Sequence, residues 1–459
     1  MQLNYQTTIA NPAMGVVGTG ALPVIPGTTT AGKYQNVTVV GNYAYVAGFA
    51  SPGANPVGMS LVIYDITDPT NPFVTGWIPT QTNPWNGGAP GLNGTYCMVI
   101  QNGYAYITSG LTFYVVNVQN PYYPYNVGRC AVTGSPGTLY SVAMSGNYAY
   151  ISTQSKGLTV VDCTNPLLPV QVFQEGGTLN KSVGVCVANG YVFTTNYQTT
   201  APWTVRYLKI WNISTPSTPS LITTYTLPAG TKPGQLSVNG NYAYVTDFNT
   251  NSVQIVDITN VNSPNYISSM AASASFGTLE SAATNTTSLD GDFAYITSGS
   301  SAVFGGAVDC YNITNPATPV LVSTYTEGVP SSVGYLGAVL YNNNLYIADY
   351  GPAGGTGSTL VVLSTLTGTS APIDSRNLTA VSVQLSNVGS SATGVCILEG
   401  SDDSINPTNW SDIPSTSTPI SGTAVYLIPK TDISYQYVRV AYTSTGTGGL
   451  NVALKGLEP

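Results

Sequence analysis

The segment "GNYAYV" (residues 41–46) returns along the chain as "NGYAYI" (102–107), "GNYAYI" (146–151), "NGYVFT" (189–194), "GNYAYV" (240–245), "GDFAYI" (291–296) and "NNLYI" (343–347). The marker aromatics Tyr45, Tyr106, Tyr150, Phe193, Tyr244, Tyr295 and Tyr346 are 61, 44, 43, 51, 51 and 51 residues apart. A unit this short cannot bury its apolar faces alone, so its copies must pack on one another. Seven copies of about 40–50 residues, each with four strand-like segments, predict the blades of a β-propeller.

Each copy opens with an alternating strand such as "VTVV", makes a tight turn through Gly-Asn or Asn-Gly, and returns along the aromatic strand. These dipeptides suit the positive φ of hairpin turns. An apolar strand ending in Asp or Asn follows a variable loop, as in "LVIYDITDPTNP", "LTVVDCTNPLLP", "LKIWNISTPSTP" and "VQIVDITNVNSP". A proline-punctuated turn then leads into the fourth strand. Asp65, Asn117, Asp162, Asn212, Asp257 and Asn312 recur at the end of the apolar strand and are expected to bond their own backbone two residues on.

The seventh copy has its apolar strand, "STLVVLSTLTG" (358–368), but no proline turn or fourth strand after it. The missing piece stands at the other end of the chain. "IANPAMGVVGTG" (9–20) aligns with "ITNPATPVLVST" (313–324), Ile9, Asn11, Pro12, Ala13 and Val16 falling on Ile313, Asn315, Pro316, Ala317 and Val320. Residues 9–20 are therefore expected to complete the last blade and hide two sheet edges. The expected fold is all-β: a seven-bladed propeller over residues 1–369, closed by an N-terminal strand, with almost no helix.

The combination of "GNYAYVAG", "LVIYDITDP" and "TVVDCTNPLLP" resembles the LVIVD-repeat propellers, which pair an "AYVA" strand with an "LxIVDVSxPxxP" strand. The resemblance covers about residues 1–369 and implies fold more than function. From about 370 to 459 the pattern changes. "LTAVSVQLS", "GVCILEGS", "TAVYLIP", "YQYVRVAYT" and "LNVALKG" read as strands of a small β-sandwich used for anchoring or oligomerisation. "ILEGSDDSINPTNWSDIP" followed by "ISYQYVRVAYTSTGTGGLNVALKG" resembles an accessory virion domain of bacteriophages, and its "GSDD" hairpin is also shared by discoidin-like glycan-binding modules. Trp410 reads there as a core anchor.

Composition narrows the function. Only 7% of residues are charged, with 11 basic residues and a net charge of −8, so no electrostatic footprint for nucleic acid or an anionic membrane exists. No apolar run approaches the ~20 residues of a membrane-spanning helix, and "MQLNYQTTIANP" lacks the pattern of a secretory signal. Cysteines 97, 130, 163, 186, 310 and 396 stand singly in strand-like segments and read as small buried hydrophobes. Histidine is absent, which removes Ser-His-Asp and Cys-His nucleophile systems and the commonest metal ligand. "DFNTNS" (247–252) echoes a calcium loop but has no Gly at its sixth position. No cofactor or metal is expected.

The short turns should share one face of the propeller, and the variable loops, 51–59, 81–94, 196–207, 298–306 and 350–358, the other. That second face gathers Glu175, Asp247, Glu280, Glu327, Asp349, Lys33, Lys156, Lys181, Arg206 and Lys232. Candidate ligand-binding residues are Trp85 and Trp203, suited to stacking on sugars, with Asp247 and Asp349. The two aspartates occupy equivalent repeat positions and are the one pair suited to glycosidase chemistry. The expected role is a non-enzymatic decoration protein on a virion surface, its partners other virion proteins, copies of itself or host-surface glycans. The alternatives are a cell-surface carbohydrate-binding adhesin and a glycan-cleaving enzyme.

Overall fold

The computed structural model describes residues 2–9, 14, 16–21, 33–49, 59–79, 95–176, 181–198, 204–274, 276, 287–290, 293–300, 303–326, 334–342, 344–349 and 359–364, and the backbone of strands between 367 and 457. All of its regular elements are strands and turns. The chain forms two compact units: Val16–Leu363, and Met1–Gly15 together with Ser364–Pro459.

The first unit is a seven-bladed β-propeller of four-stranded antiparallel sheets. Blade three shows the plan: Leu139–Ser145, Tyr148–Thr153, Gly157–Asp162 and Val170–Gln174 pair in chain order. The first strands of the other blades begin at Lys33, Thr95, Lys181, Pro233, Thr287 and Tyr335. First strands of successive blades touch one another, whereas fourth strands such as Val170–Gln174 are partly exposed along their length. The first strands therefore surround the axis and the fourth form the rim. In the seventh sheet, Tyr335–Tyr341, Asn344–Asp349 and Thr359–Ser364 are followed on the outer side by Val16–Ala21, with Val16 opposite Leu363 and Ala21 opposite Thr359.

The core lies between blades. Val115, Phe113 and Tyr106 of blade two pack on Leu139, Val142, Ile151 and Val161 of blade three, and Val46, Val62 and Tyr64 of blade one on Tyr346, Leu360 and Val362 of blade seven. Each fully buried Val, Leu or Phe contributes about 1.5–3 kcal/mol. The two-faced burial explains why second and third strands read as near-continuous apolar runs. Cys97, Cys130, Cys163, Cys186 and Cys310 are free thiols in or beside these layers, and burial pushes the Cys163 thiol to about 12 and Cys186 to about 11.

The turn chemistry follows the sequence. Gly41, Gly146 and Gly240 have φ of 58°, 55° and 54°, and Asn102 and Asn189 have φ of 52° before Gly103 and Gly190 at 77° and 79°. Each of the six recurring Asp/Asn side chains accepts a bond from the backbone two residues on: Asp65 from Thr67 N, Asn117 from Gln119 N, Asp162 from Thr164 N, Asn212 from Ser214 N, Asp257 from Thr259 N and Asn312 from Thr314 N, at 2.7–3.0 Å.

The boundary between units differs from the expected 1–369 and 370–459. Gln2–Ile9 pairs with Gly449–Leu457, Ile9 facing Leu450, and Thr367–Thr369 pairs with Ala441–Thr443. "QLNYQTTI" alternates like any strand and carries no mark of its partner, so the repeat alignment of residues 9–20 drew Ile9 into the propeller. In the second unit, Gln2–Ile9, Gly449–Leu457, Ala380–Val388 and Tyr426–Thr431 form one sheet. Gly394–Ser401 and Tyr437–Ser444 are the long strands of the other.

Candidate functional site

Antiparallel pairing puts the start of every first strand beside the end of every second strand, at the end of the blade that also carries the second-to-third loops and the connectors between blades. The Gly-Asn and proline turns occupy the opposite end, as expected. At the loop-bearing end, Lys181 faces Tyr197, Pro233 faces Asp247, Tyr335 faces Asp349 and Leu139 faces Thr153.

A hydroxyl one step inside this end ties four of the blades to the next. Ser152 Oγ accepts from Ser141 N of its own blade at 3.0 Å and donates to Val183 O of blade four at 2.7 Å. Thr195 Oγ1 accepts from Gly184 N at 2.9 Å and donates to Gly234 O of blade five at 2.5 Å. Thr108 and Thr297 reach Tyr140 O and Leu336 O in the same manner. The first strands bulge at this point, which frees the amide that each hydroxyl takes up.

The candidate carboxylates are built into the scaffold. Asp247 is fully buried. Its Oδ1 accepts from Lys232 N at 2.9 Å and Asn249 N at 3.0 Å, and its Oδ2 from Thr250 Oγ1 at 2.6 Å and Gln254 Nε2 at 3.1 Å. Four donors on one carboxylate fix the "DFNTNS" loop. Asp349 is buried and accepts from Thr359 Oγ1 at 3.2 Å. Glu175 takes Leu158 N at 3.1 Å and pairs with Lys209 of blade four. Arg206 Nε donates to Leu227 O and Pro228 O, both at 2.7 Å, and pins the connector into blade five. Lys156 lies in the second-to-third turn of blade three. Trp85, Trp203, Glu280 and Glu327, and the side chain of Lys33, fall outside the described residues. Among the described residues no group of His, Cys, Asp and Glu could hold a metal ion, and no helix is long and apolar enough to cross a membrane.

What the loop-bearing end brings together instead is a basic and aromatic cluster. The Lys181 ammonium stands 5.0 Å from the centre of the Tyr140 ring and 5.8 Å from that of Tyr197, and the Lys232 ammonium 5.6 Å from the same Tyr197 ring. Lys181 is 6% exposed. Tyr96 meets Tyr140 edge-on at 5.8 Å, and burial pushes the Tyr96 phenol upward. Cation–π contacts of this kind contribute about 0.5–2 kcal/mol each, more as water is excluded. On the adjoining register pair, Ser182 Oγ and Asn196 Oδ1 are buried with no hydrogen-bond partner, and Thr95 Oγ1 and Gln35 Oε1 are in the same state on blades two and one. The tyrosines had a sequence signal: Tyr34, Tyr96 and Tyr140 fill the second position of their first strands.

Ring, register and turns define the class as a seven-bladed β-propeller. The chain carries LVIVD repeats: the model of that repeat matches residues 31–80, 136–174 and 232–272, which are blades one, three and five. No curated protein matches it. Among solved structures it is similar to a Bacteroides uniformis protein named as a candidate 6-phosphogluconolactonase, with a TM-score of 0.50 and 11% identity over 70% of this chain and 96% of that one. A functionally unknown protein from Desulfotomaculum acetoxidans gives 0.47 and 11% over 66% and 90%. At these identities the likeness concerns the fold alone.

Proposed function

We propose that the chain is a non-enzymatic decoration protein of a virus particle. In this reading the second unit is a β-sandwich of the accessory virion kind that attaches to the particle, and the propeller displays its loop-bearing face to host-surface glycans or neighbouring subunits. Val16–Ala21 is the closing strand of the ring. Its Gly18 lies where a side chain would strike Pro69 O of blade one, as Gly76 and Gly128 lie against Pro121 O and Pro166 O of blades two and three.

The observation that carries the non-enzymatic part of the reading is the commitment of Asp247. A general acid or base needs a carboxyl free to exchange a proton with substrate, and this one is held by four donors of its own loop and neighbours. The uniform turns at one end of the blades and varied loops at the other support a division between scaffold and contact face. The test is electron microscopy of particles and envelopes from the source, labelled with an antibody against residues 372–459. Label on capsids or tails is expected. Label on cell envelopes alone would overturn the virion setting in favour of a cell-surface adhesin.

A further inference from the structure

We propose that the proline-turn end of blades two and three is the contact surface between two copies of this chain, paired about a two-fold axis. It lies at the opposite end of the blades from the loops, so the pairing leaves the loop-bearing face free and does not depend on the display reading.

The first argument is a comparison among the repeats. Each proline turn has the same three outward positions, two within the turn and one that opens the fourth strand. They hold Tyr122, Tyr123 and Tyr125 in blade two and Leu167, Leu168 and Val170 in blade three, but Ser217, Thr218 and Ser220 in blade four and Asn262, Ser263 and Asn265 in blade five. The turn is indifferent to the choice. Its second residue donates its N–H to the carbonyl three residues back at 3.1 Å in blade two, 3.0 Å in blades three and four and 2.9 Å in blade five. Six apolar side chains therefore stand where the fold accepts Ser, Thr or Asn, and they are 51–75% exposed. The two blades adjoin here: a Cβ on Gly128 of blade two would meet Pro166 O and Pro169 Cδ of the blade-three turn.

The second argument is area. At about 150–250 Å² per tyrosine and about 60–120 Å² per aliphatic side chain, these exposures amount to roughly 400–650 Å², at or above the largest apolar patch of a typical monomer. Interfaces are about 60% apolar, so a patch of this size is the core of one burying about 700–1,100 Å² per copy, against the ~800 Å² per partner of a standard stable pair.

The occupant follows from the pattern. None of the six positions is charged, so a second copy meets no like charge there. A two-fold axis between blades two and three lays the tyrosine turn of each copy on the aliphatic turn of the other, which makes the patch complementary to itself.

Sedimentation velocity of the full-length protein from about 1 to 100 μM tests the pairing, because an interface of this size commonly dissociates in or below that range. Rising concentration should convert monomer to dimer. Tyr123→Asp and Leu168→Asp should each weaken the dimer about tenfold or more with unchanged circular dichroism, while Thr218→Asp, at the matching position of blade four, should leave it as it is. A monomer throughout that range would overturn the pairing and assign the patch to a different protein. A dimer indifferent to Tyr123→Asp and Leu168→Asp would overturn it by putting the contact elsewhere in the chain. Neither result alters what the particle labelling reports, so the display reading stands or falls separately.

Discussion

The seams between blades are closed in two different ways. From blade two to three, three to four, four to five and six to seven, a Thr or Ser hydroxyl of one blade donates to a first-strand carbonyl of the next. At the seams from seven to one and from one to two that position holds Ala348 and Ala47, both fully buried. The closing seam relies on packing instead. Gly337 of blade seven lies so near blade one that a Cβ would sit 2.7 Å from Asn36 Cα, and Tyr34 and Tyr64 share a buried hydroxyl–hydroxyl bond of 2.6 Å beside it. The stapled seams join residues about 30–40 apart in sequence, while the closing one joins the two ends of the propeller unit. Directional bonds serve where neighbours arrive together, and close, apolar contact serves where the ring must find its own end.

Alkali should break this arrangement most completely. Burial raises Tyr106, Tyr150, Tyr244 and Tyr346 to about 12 and Tyr34 well above its ordinary value. The native state therefore holds protons that the unfolded chain has released above pH ~10. The stabilisation is complete below pH ~10 and is lost as pH climbs through 12. Tyrosinate absorbance should appear together with loss of strand circular dichroism; gradual ionisation of an intact ring would contradict it.

Val16–Ala21, proposed above as the closing strand, is the next target. Gly18→Ala should destabilise the propeller by about 2–3 kcal/mol in a denaturant series, comparable with Gly76→Ala, because both force a methyl into a proline carbonyl. If Gly76→Ala destabilises and Gly18→Ala is silent, Val16–Ala21 does not close the ring. Thr195→Val should cost about 1–3 kcal/mol by leaving Gly184 N and Gly234 O without their partner. Ala47→Ser should give no matching gain if the one-to-two seam is already satisfied by packing. Leu168→Asp, at a proline turn that is 70% exposed, should change stability by less than about 0.5 kcal/mol.

The ring was legible because its signals are local and repeated. Positive-φ dipeptides and Asx turns need only neighbours a few residues away, and seven copies average out the irregular loops. Partnership between distant strands has no such signal. Ile9 looked like the repeat position of Ile313, but nothing in "QLNYQTTI" names Gly449–Leu457 as its partner. The candidate site was legible by type and not by role. Asp247 was found by its repeat position, yet its four donors come from a connector, its own loop and the next strand. Lys181 and Lys232, one repeat period of 51 residues apart, stand over the same Tyr197 ring.

Val16 and Leu363, the first and last residues of the propeller unit, are direct partners across one antiparallel ladder. Both joins to the other unit therefore leave from the same end of the same pair of strands. Any pull between the units is divided between two covalent tethers acting side by side, so it does not slide one strand along the other. The ladder between Val16–Ala21 and Thr359–Ser364 is thereby spared shear.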